Sequence, residues 1–252
     1  MKIRYTSFCE IGLIRQENQD AVFCGMDSTA GLFVVADGMG GHQDGARASQ
    51  TIKEKASEWW KHYEYSIERP DFLNAVQELK EIFSKANKEI FLNTEAGTIC
   101  GSTLVALWLD KDGWAVFSCG DSRCYHAKSG ILGKRFVQLT TDDVWENQPQ
   151  NVQGMTRQQI EDNKNFGFLV KAVGIREEFQ YSVQSGSCKG KNVFLLCSDG
   201  VYKYCPEEVL KRYSFSVLRS KNPDNLSQGI WKQVIRNGAG DNLSLVLVMA
   251  EN

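Results

Sequence analysis

The sequence predicts an α+β domain in which antiparallel sheet, single or folded into a sandwich, is covered on the outside by helices. Three observations lead there. Short β-rich runs bounded by Gly, Asp or Asn recur throughout the 252 residues. Two of these runs are joined by Asp110-Lys111-Asp112-Gly113, an Asp-Gly turn of the kind that closes a hairpin and so pairs its strands antiparallel. The main helical stretches come as an early pair and a late pair, whereas a βαβ array would need one after each strand.

Strands are expected at 3–8, 21–24, 32–36, 102–109, 114–119, 123–127, 136–139, 193–197 and 243–249. Two helices, about 45–63 and 71–93, fall between the third and fourth strands. In the second of them Phe72, Ala75, Val76, Leu79, Ile82, Phe83, Ala86 and Ile90 form one apolar stripe at i, i+3, i+4 spacing. The late pair is expected at about 206–213 and 224–237. Residues 141–168 differ in composition: 142–151 is polar, and a short helix follows around 156–163. A polar insertion this long inside a compact domain is usually functional or mobile. The expected organisation is one domain over 1–252 with this insertion as its appendage.

Lys and Arg number 29 against 31 Asp and Glu, a balance of −2 that argues against a dedicated nucleic-acid binder. A hydrophobic share of 42% with 11% aromatic is enough to fill a core and excludes disorder for the body of the chain. The longest apolar runs, 104–109 and 243–250, fall far short of the ~18–20 residues that cross a bilayer. Residues 1–12 carry Lys2, Arg4 and Glu10 in place of the apolar stretch of a secretion signal. A cytoplasmic protein that partners neither membrane nor nucleic acid is expected. The 8 cysteines contain no C-x-x-C pair and read as reduced thiols, with Cys24, Cys119 and Cys197 behaving as small core hydrophobes. His62 and His126 are expected at the surface. Trp59, Trp60 and Trp145 suit either the core or a partner surface.

The acids are placed more tellingly than they are numerous. Three apolar runs end alike: 32–36 in Asp37-Gly38, 114–119 in Gly120-Asp121, and 193–197 in Ser198-Asp199-Gly200. Two further runs begin behind an acid, Asp20 and Asp241. Asp and Gly both favour turns, so any single instance is explained by turn chemistry. Turn chemistry does not require an acid at each of five buried runs. If these ends meet at one rim, the carboxylates repel by several kcal/mol unless a cation holds them. Hard oxygen ligands without His or Cys select Mg²⁺ or Mn²⁺, with Ca²⁺ possible.

Arg15-Gln16-Glu17-Asn18-Gln19-Asp20, Val34-Val35-Ala36-Asp37-Gly38-Met39-Gly40-Gly41-His42, Gly101-Ser102-Thr103, Gly120-Asp121-Ser122-Arg123, Leu195-Leu196-Cys197-Ser198-Asp199-Gly200 and Asp241-Asn242 together resemble the ordered motifs of the PPM/PP2C family of metal-dependent protein Ser/Thr phosphatases, in its bacterial form. The resemblance implies a four-layer αββα sandwich of two antiparallel β-sheets flanked by antiparallel helix pairs, with a small flap at about 141–168. It implies two tightly bound Mn²⁺ or Mg²⁺ ions, Asp37 bridging them, Asp199 and Asp241 completing the first site and the Gly38 carbonyl binding the second. Asp121, with Asp199, matches the ligand of a weaker third ion. Asp20 matches a carboxylate that orients metal-bound water, and Arg15 matches the phosphate-binding arginine. Gln19 stands where many members have Glu, and Val201-Tyr202 and Asp143-Val144 depart from the usual residues after Ser-Asp-Gly and at the flap entrance.

The implied reaction is hydrolysis of phosphoserine and phosphothreonine in phosphoproteins, with a hydroxide bridging the two ions attacking phosphorus directly. A guanidinium at Arg15 can take two phosphate oxygens at once. His42 could protonate the leaving oxygen, or could merely cap the following helix. Phosphorylated proteins and an opposing Ser/Thr kinase are the expected partners of a monomer. The alternative is a non-catalytic phosphoprotein-binding module of the same fold, which normally loses a metal carboxylate, and Asp37, Asp199 and Asp241 are all present. Gly186-Ser187-Cys188-Lys189-Gly190-Lys191 is one residue short of P-loop spacing, and Gly38-Met39-Gly40-Gly41 lacks the third glycine of a dinucleotide fingerprint.

Overall fold

The computed structural model describes residues 1–41, 43–95, 97–130, 133–218 and 224–252. Along the chain run β1 (Lys2–Glu10), β2 (Asp20–Met26), β3 (Ala30–Gly40), α1 (Gln43–Tyr65), α2 (Phe72–Leu92), β4 (Cys100–Ser102), β5 (Leu104–Asp110), β6 (Trp114–Cys119), β7 (Arg123–Gly130), β8 (Gly133–Gln138), α3 (Pro149–Val152), α4 (Arg157–Glu161), β9 (Ser182–Gly186), β10 (Lys191–Cys197), α5 (Asp199–Tyr202), α6 (Glu207–Val217), α7 (Asp224–Arg236) and β11 (Leu243–Glu251). One sheet has the order β1-β11-β10-β7-β8, the other β2-β3-β5-β6-β9 with β4 added beside β3. Every strand pairing is antiparallel, including the hairpin through Asp110–Gly113.

Period-two alternation sorts the side chains into layers. In β3, Leu32, Val34 and Ala36 pack with Ile52, Trp59, Leu79 and Phe83 of α1 and α2, while Phe33 and Val35 face the other way. In β10 and β11, Leu195, Leu245 and Leu247 join Leu210, Ile230 and Val234 of α6 and α7, while Phe194, Leu196, Val246 and Val248 meet Phe33 and Val35 between the sheets. The central strands are thus buried on both faces, which is why they read as unbroken apolar runs although antiparallel sheets often keep one face wet. The result is helices, sheet, sheet, helices, as the resemblance implies.

Local chemistry sets the helix limits. Asp71 Oδ1 accepts from the Asn74 N–H at 2.9 Å and starts α2, and Asn93 closes it. Among the described residues no helix is long and apolar enough to cross a membrane.

Several expectations need correction. The strand expected over 102–109 is two strands interrupted at Thr103, whose N–H and hydroxyl both bond the Asp37 backbone, at 2.8 and 3.0 Å. Asp37-Gly38 is not a turn: it lies inside β3, which continues to Gly40 opposite β4. Sequence reasoning misses β9, a polar edge strand, and α5, which is too short to show a period. His126 is not a surface residue; its ring stacks on Phe194 at 4.7 Å and Nε2 bonds Asn192 Oδ1 at 3.0 Å. Trp59 and Trp60 belong to the core. His42 lies outside the described residues.

Trp108 is fully buried, with its ring edge-on to Trp59 and Tyr63 at 5.4 and 5.0 Å. Trp108→Ala should cost about 3–5 kcal/mol of unfolding free energy in a urea titration. A loss under ~1 kcal/mol would place this side chain outside the packed core.

Candidate active site

The rim where the two sheets share an end receives all five acids from separate elements. Asp20 opens β2 and sits directly opposite Asp37 of β3 in the pairing register. Asp121 follows β6, Asp199 is the first residue of α5, and Asp241 precedes β11. Asp37, Asp121, Asp199 and Asp241 line a cleft of about 280 Å³ together with Arg15, Gly38 and Lys203. The turn explanation of these acids therefore fails as a group: their common feature is where they meet.

Close backbone approach explains the two glycines beside them. A Cβ on Gly38 would lie 2.0 Å from the Gly45 carbonyl oxygen, at the start of α1. A Cβ on Gly200 would lie 2.0 Å from the Asn242 carbonyl oxygen. Without a side chain at either position, β3 can press against α1, and α5 against the turn that carries Asp241. Asn242 completes this frame: its Oδ1 accepts from the Gln19 N–H, and its Nδ2 donates to the carbonyls of Ile11 and Glu17, each at 2.9 Å. The loop that bears Arg15 is thereby pinned to the start of β11.

Burial works against the charges gathered here. Asp37 is held well above the usual carboxylate range by burial first, then by the charges of Asp20, Asp199, Asp121 and Asp241. Burial likewise pushes Asp20 up to about 7 and Asp121 up to about 6. The Ser198 hydroxyl donates to Asp20 Oδ2 at 2.8 Å, whereas Oδ1 is buried with no hydrogen-bond partner among the described residues.

Two cations answer part of this charge. Arg15 grips Asp241 with two nitrogens, Nε to Oδ1 and Nη2 to Oδ2, both at 2.8 Å. Lys203 Nζ lies 2.5 Å from Asp199 Oδ2. Among the described residues no three His, Cys, Asp or Glu side chains form a preformed set of metal donors; two of the expected ligands face cationic side chains instead. The donors nevertheless suit a hard divalent cation, being carboxylate oxygens with no His or Cys, and the buried Oδ1 of Asp20, opposite Asp37 in the register, has no partner among the described residues.

The expected flap borders the cleft. Val144 and Leu169 bridge its two ends, and the Trp145 N–H donates to the Phe168 carbonyl at 2.8 Å. Gly167 and Leu169 line the cleft. Lys171 pairs with Asp143 at 2.7 Å, and Arg123 pairs with Asp142 through Nε and Nη2 while its guanidinium lies 3.6 Å from the centre of the Tyr202 ring. Tyr202 in turn donates its hydroxyl to Asp121 Oδ2 at 3.2 Å. Sequence reasoning assigns no role to Asn242, Lys203 or Tyr202. The signal for Lys203 is its place four residues after Asp199, legible only if a helical turn is assumed there.

A family model described as protein phosphatase 2C matches residues 15–234. In sequence, the serine/threonine phosphatase stp of Listeria monocytogenes serovar 1/2a is 27% identical over 243 residues, which span 94% of this chain and 92% of that protein. Among solved structures, the S. agalactiae serine/threonine phosphatase superposes with a TM-score of 0.82 at 19% identity, covering 98% of this chain and 99% of the other. The catalytic domain of the serine/threonine protein phosphatase PstP, in complex with two manganese ions, gives a TM-score of 0.77 at 22% identity and 99% coverage of both chains. At these identities the structural likeness is one of fold.

Because a buried acid with a raised pKa keeps its proton longer in the folded state, its contribution is complete below about pH 4 and is lost as pH rises toward about 7 for Asp20. In chelator, Asp20→Asn should therefore gain stability relative to wild type as pH rises from 4 to 7. Melting temperatures across that range check it; a difference that does not change with pH would mean Asp20 carries no such burden.

Proposed function

The chain belongs to the protein phosphatase 2C family, and on that premise we propose that its carboxylate rim holds two Mn²⁺ or Mg²⁺ ions and hydrolyses phosphoserine and phosphothreonine in phosphoproteins. The carrying observation is Asp37, half-buried at the floor of the cleft, its pKa raised by desolvation and by the charges of four other carboxylates, a position that demands cationic charge. Asp37, Asp199, Asp241 and the Gly38 carbonyl would hold the ions. When bound, such a pair acidifies a water toward a pKa of ~7 and neutralises charge on the phosphoryl group. At Asp121 and Asp199, where a third and weaker ion is expected, the Lys203 ammonium already stands.

The remaining work falls to the chain's own side chains. Arg15 carries a planar fork at the mouth of the cleft; exchanging Asp241 for a phosphate lets it bind two oxygens of the substrate and orient the ester. Asp20, fixed by Ser198 and opposite Asp37 in the register, would orient an attacking water. The opposing activity is a kinase that phosphorylates serine or threonine, since no other class of reaction makes this substrate.

Hydrolysis of a phosphothreonine peptide should require added Mn²⁺ or Mg²⁺ and stop in excess chelator. Binding of the peptide without turnover under any divalent ion would instead favour the non-catalytic module. Asp37→Asn should lower turnover by at least ~10²-fold, as an anionic ligand is removed from the centre that stabilises charge; a near-normal rate would sink the assignment. For Arg15→Ala the expectation is a KM roughly tenfold higher or more, for loss of a charge-assisted pair worth ~1.5–3 kcal/mol. A change confined to kcat would show that Arg15 acts only on the transition state.

A further inference from the structure

The single turn α5 delivers a ligand and a cation to the same face. The Lys203 N–H donates to the Asp199 carbonyl at 2.9 Å, so the two residues stand four apart on a helical turn, and their side chains meet. An exposed pair of this kind is worth little. In this pair the Lys203 side chain is 56% exposed, whereas the Asp199 side chain is only 15% exposed and lies among other carboxylates. Lys203 also feels the negative charge of Asp121 and Asp37, and it pulls on Asp121 in return. Asp121 has one oxygen fixed by the Tyr202 hydroxyl, and that ring is backed by Arg123. One ammonium thus stands at the corner formed by Asp121 and Asp199.

We propose that Lys203 is the resident cation of the Asp121–Asp199 corner and takes the place of a third divalent ion, so that the chain holds two ions and admits a third only when Lys203 is removed. The proposal rests on the two-ion reading above. A lysine supplies one positive charge on a flexible stem, with three donors and no need of a coordination shell. It can relieve the repulsion between two carboxylates while engaging one oxygen of Asp199.

The test is calorimetric counting of Mn²⁺ on the full chain after stripping with chelator, with melting temperatures as a check on folding. Wild type and Lys203→Arg should take up two ions, and Lys203→Met three, the last at least tenfold weaker than the others. Adding Asp121→Ala to Lys203→Met should return the count to two. Lys203→Gln serves as the second neutral variant if the Met form is unstable. Three ions in wild type, or two in every neutral variant, would overturn the proposal. No ion on any of these proteins would overturn the two-ion reading itself, and the proposal with it.

Discussion

Five carboxylates brought to one rim repel one another, and much else in the structure answers to that repulsion. At an effective dielectric of ~20, two unit charges ~5 Å apart oppose each other by about 3 kcal/mol. A few such pairs rival the whole stability of a typical domain, ~5–15 kcal/mol. The fold can carry them because the apolar layers lie close behind the acids: Ala36 and Cys197, one and two residues from Asp37 and Asp199, are completely buried. Proton retention by Asp20, Asp37 and Asp121, and the cations of Arg15 and Lys203, are two ways of meeting the same burden. A bound divalent ion is a third, and it alone places charge among the buried oxygens themselves.

The same repulsion makes the site legible in the amino-acid sequence. An acid at the end of one apolar run is ordinary, but acids at Asp20, Asp37, Asp121, Asp199 and Asp241 form a pattern that turn chemistry does not require. The strands are legible for a related reason, since helices cover both outer faces and leave the central strands apolar on each side. The helix pair α1 and α2 shows a clear stripe and a cap at Asp71. Less legible are features whose meaning depends on another element. The polar edge strand β9 takes its identity from pairing with β6, and the break at Thr103 comes from its bonds to Asp37. His126 looks like any surface histidine until Phe194 is placed beneath it.

Ion pairs anchor the flap beside the buried side chains of Val144 and Val173. Arg123 joins two residues that are remote in sequence: Asp142 at the flap root, and Tyr202 on α5, whose hydroxyl donates to Asp121. Lys171 closes the opposite root on Asp143, whose other oxygen accepts from the Gly120 N–H at 3.2 Å. The first root is thus bonded through Asp143 to Gly120, which adjoins Asp121, and through Asp142 to Arg123, while the second root is tied to the first. Moving the flap root strains the position of a cleft carboxylate, and fixing that carboxylate stiffens the root.

The turn α5 is where these constraints converge, and its shortness matters. Its orientation is set by Val201, which is buried in the core, and by contacts at its start. Gly200 sits against the Asn242 carbonyl, and Ser198 joins Ser244 through the Ser198 N–H to the Ser244 carbonyl at 3.0 Å. Once that start is fixed, helical geometry leaves no freedom in where residues 202 and 203 emerge: one above Asp121, the other beside Asp199. Substitution at Lys203, whose side chain is 56% exposed, therefore changes the charge of the cleft, whereas substitution at Tyr202 also removes a ring that packs against Arg123 and the core.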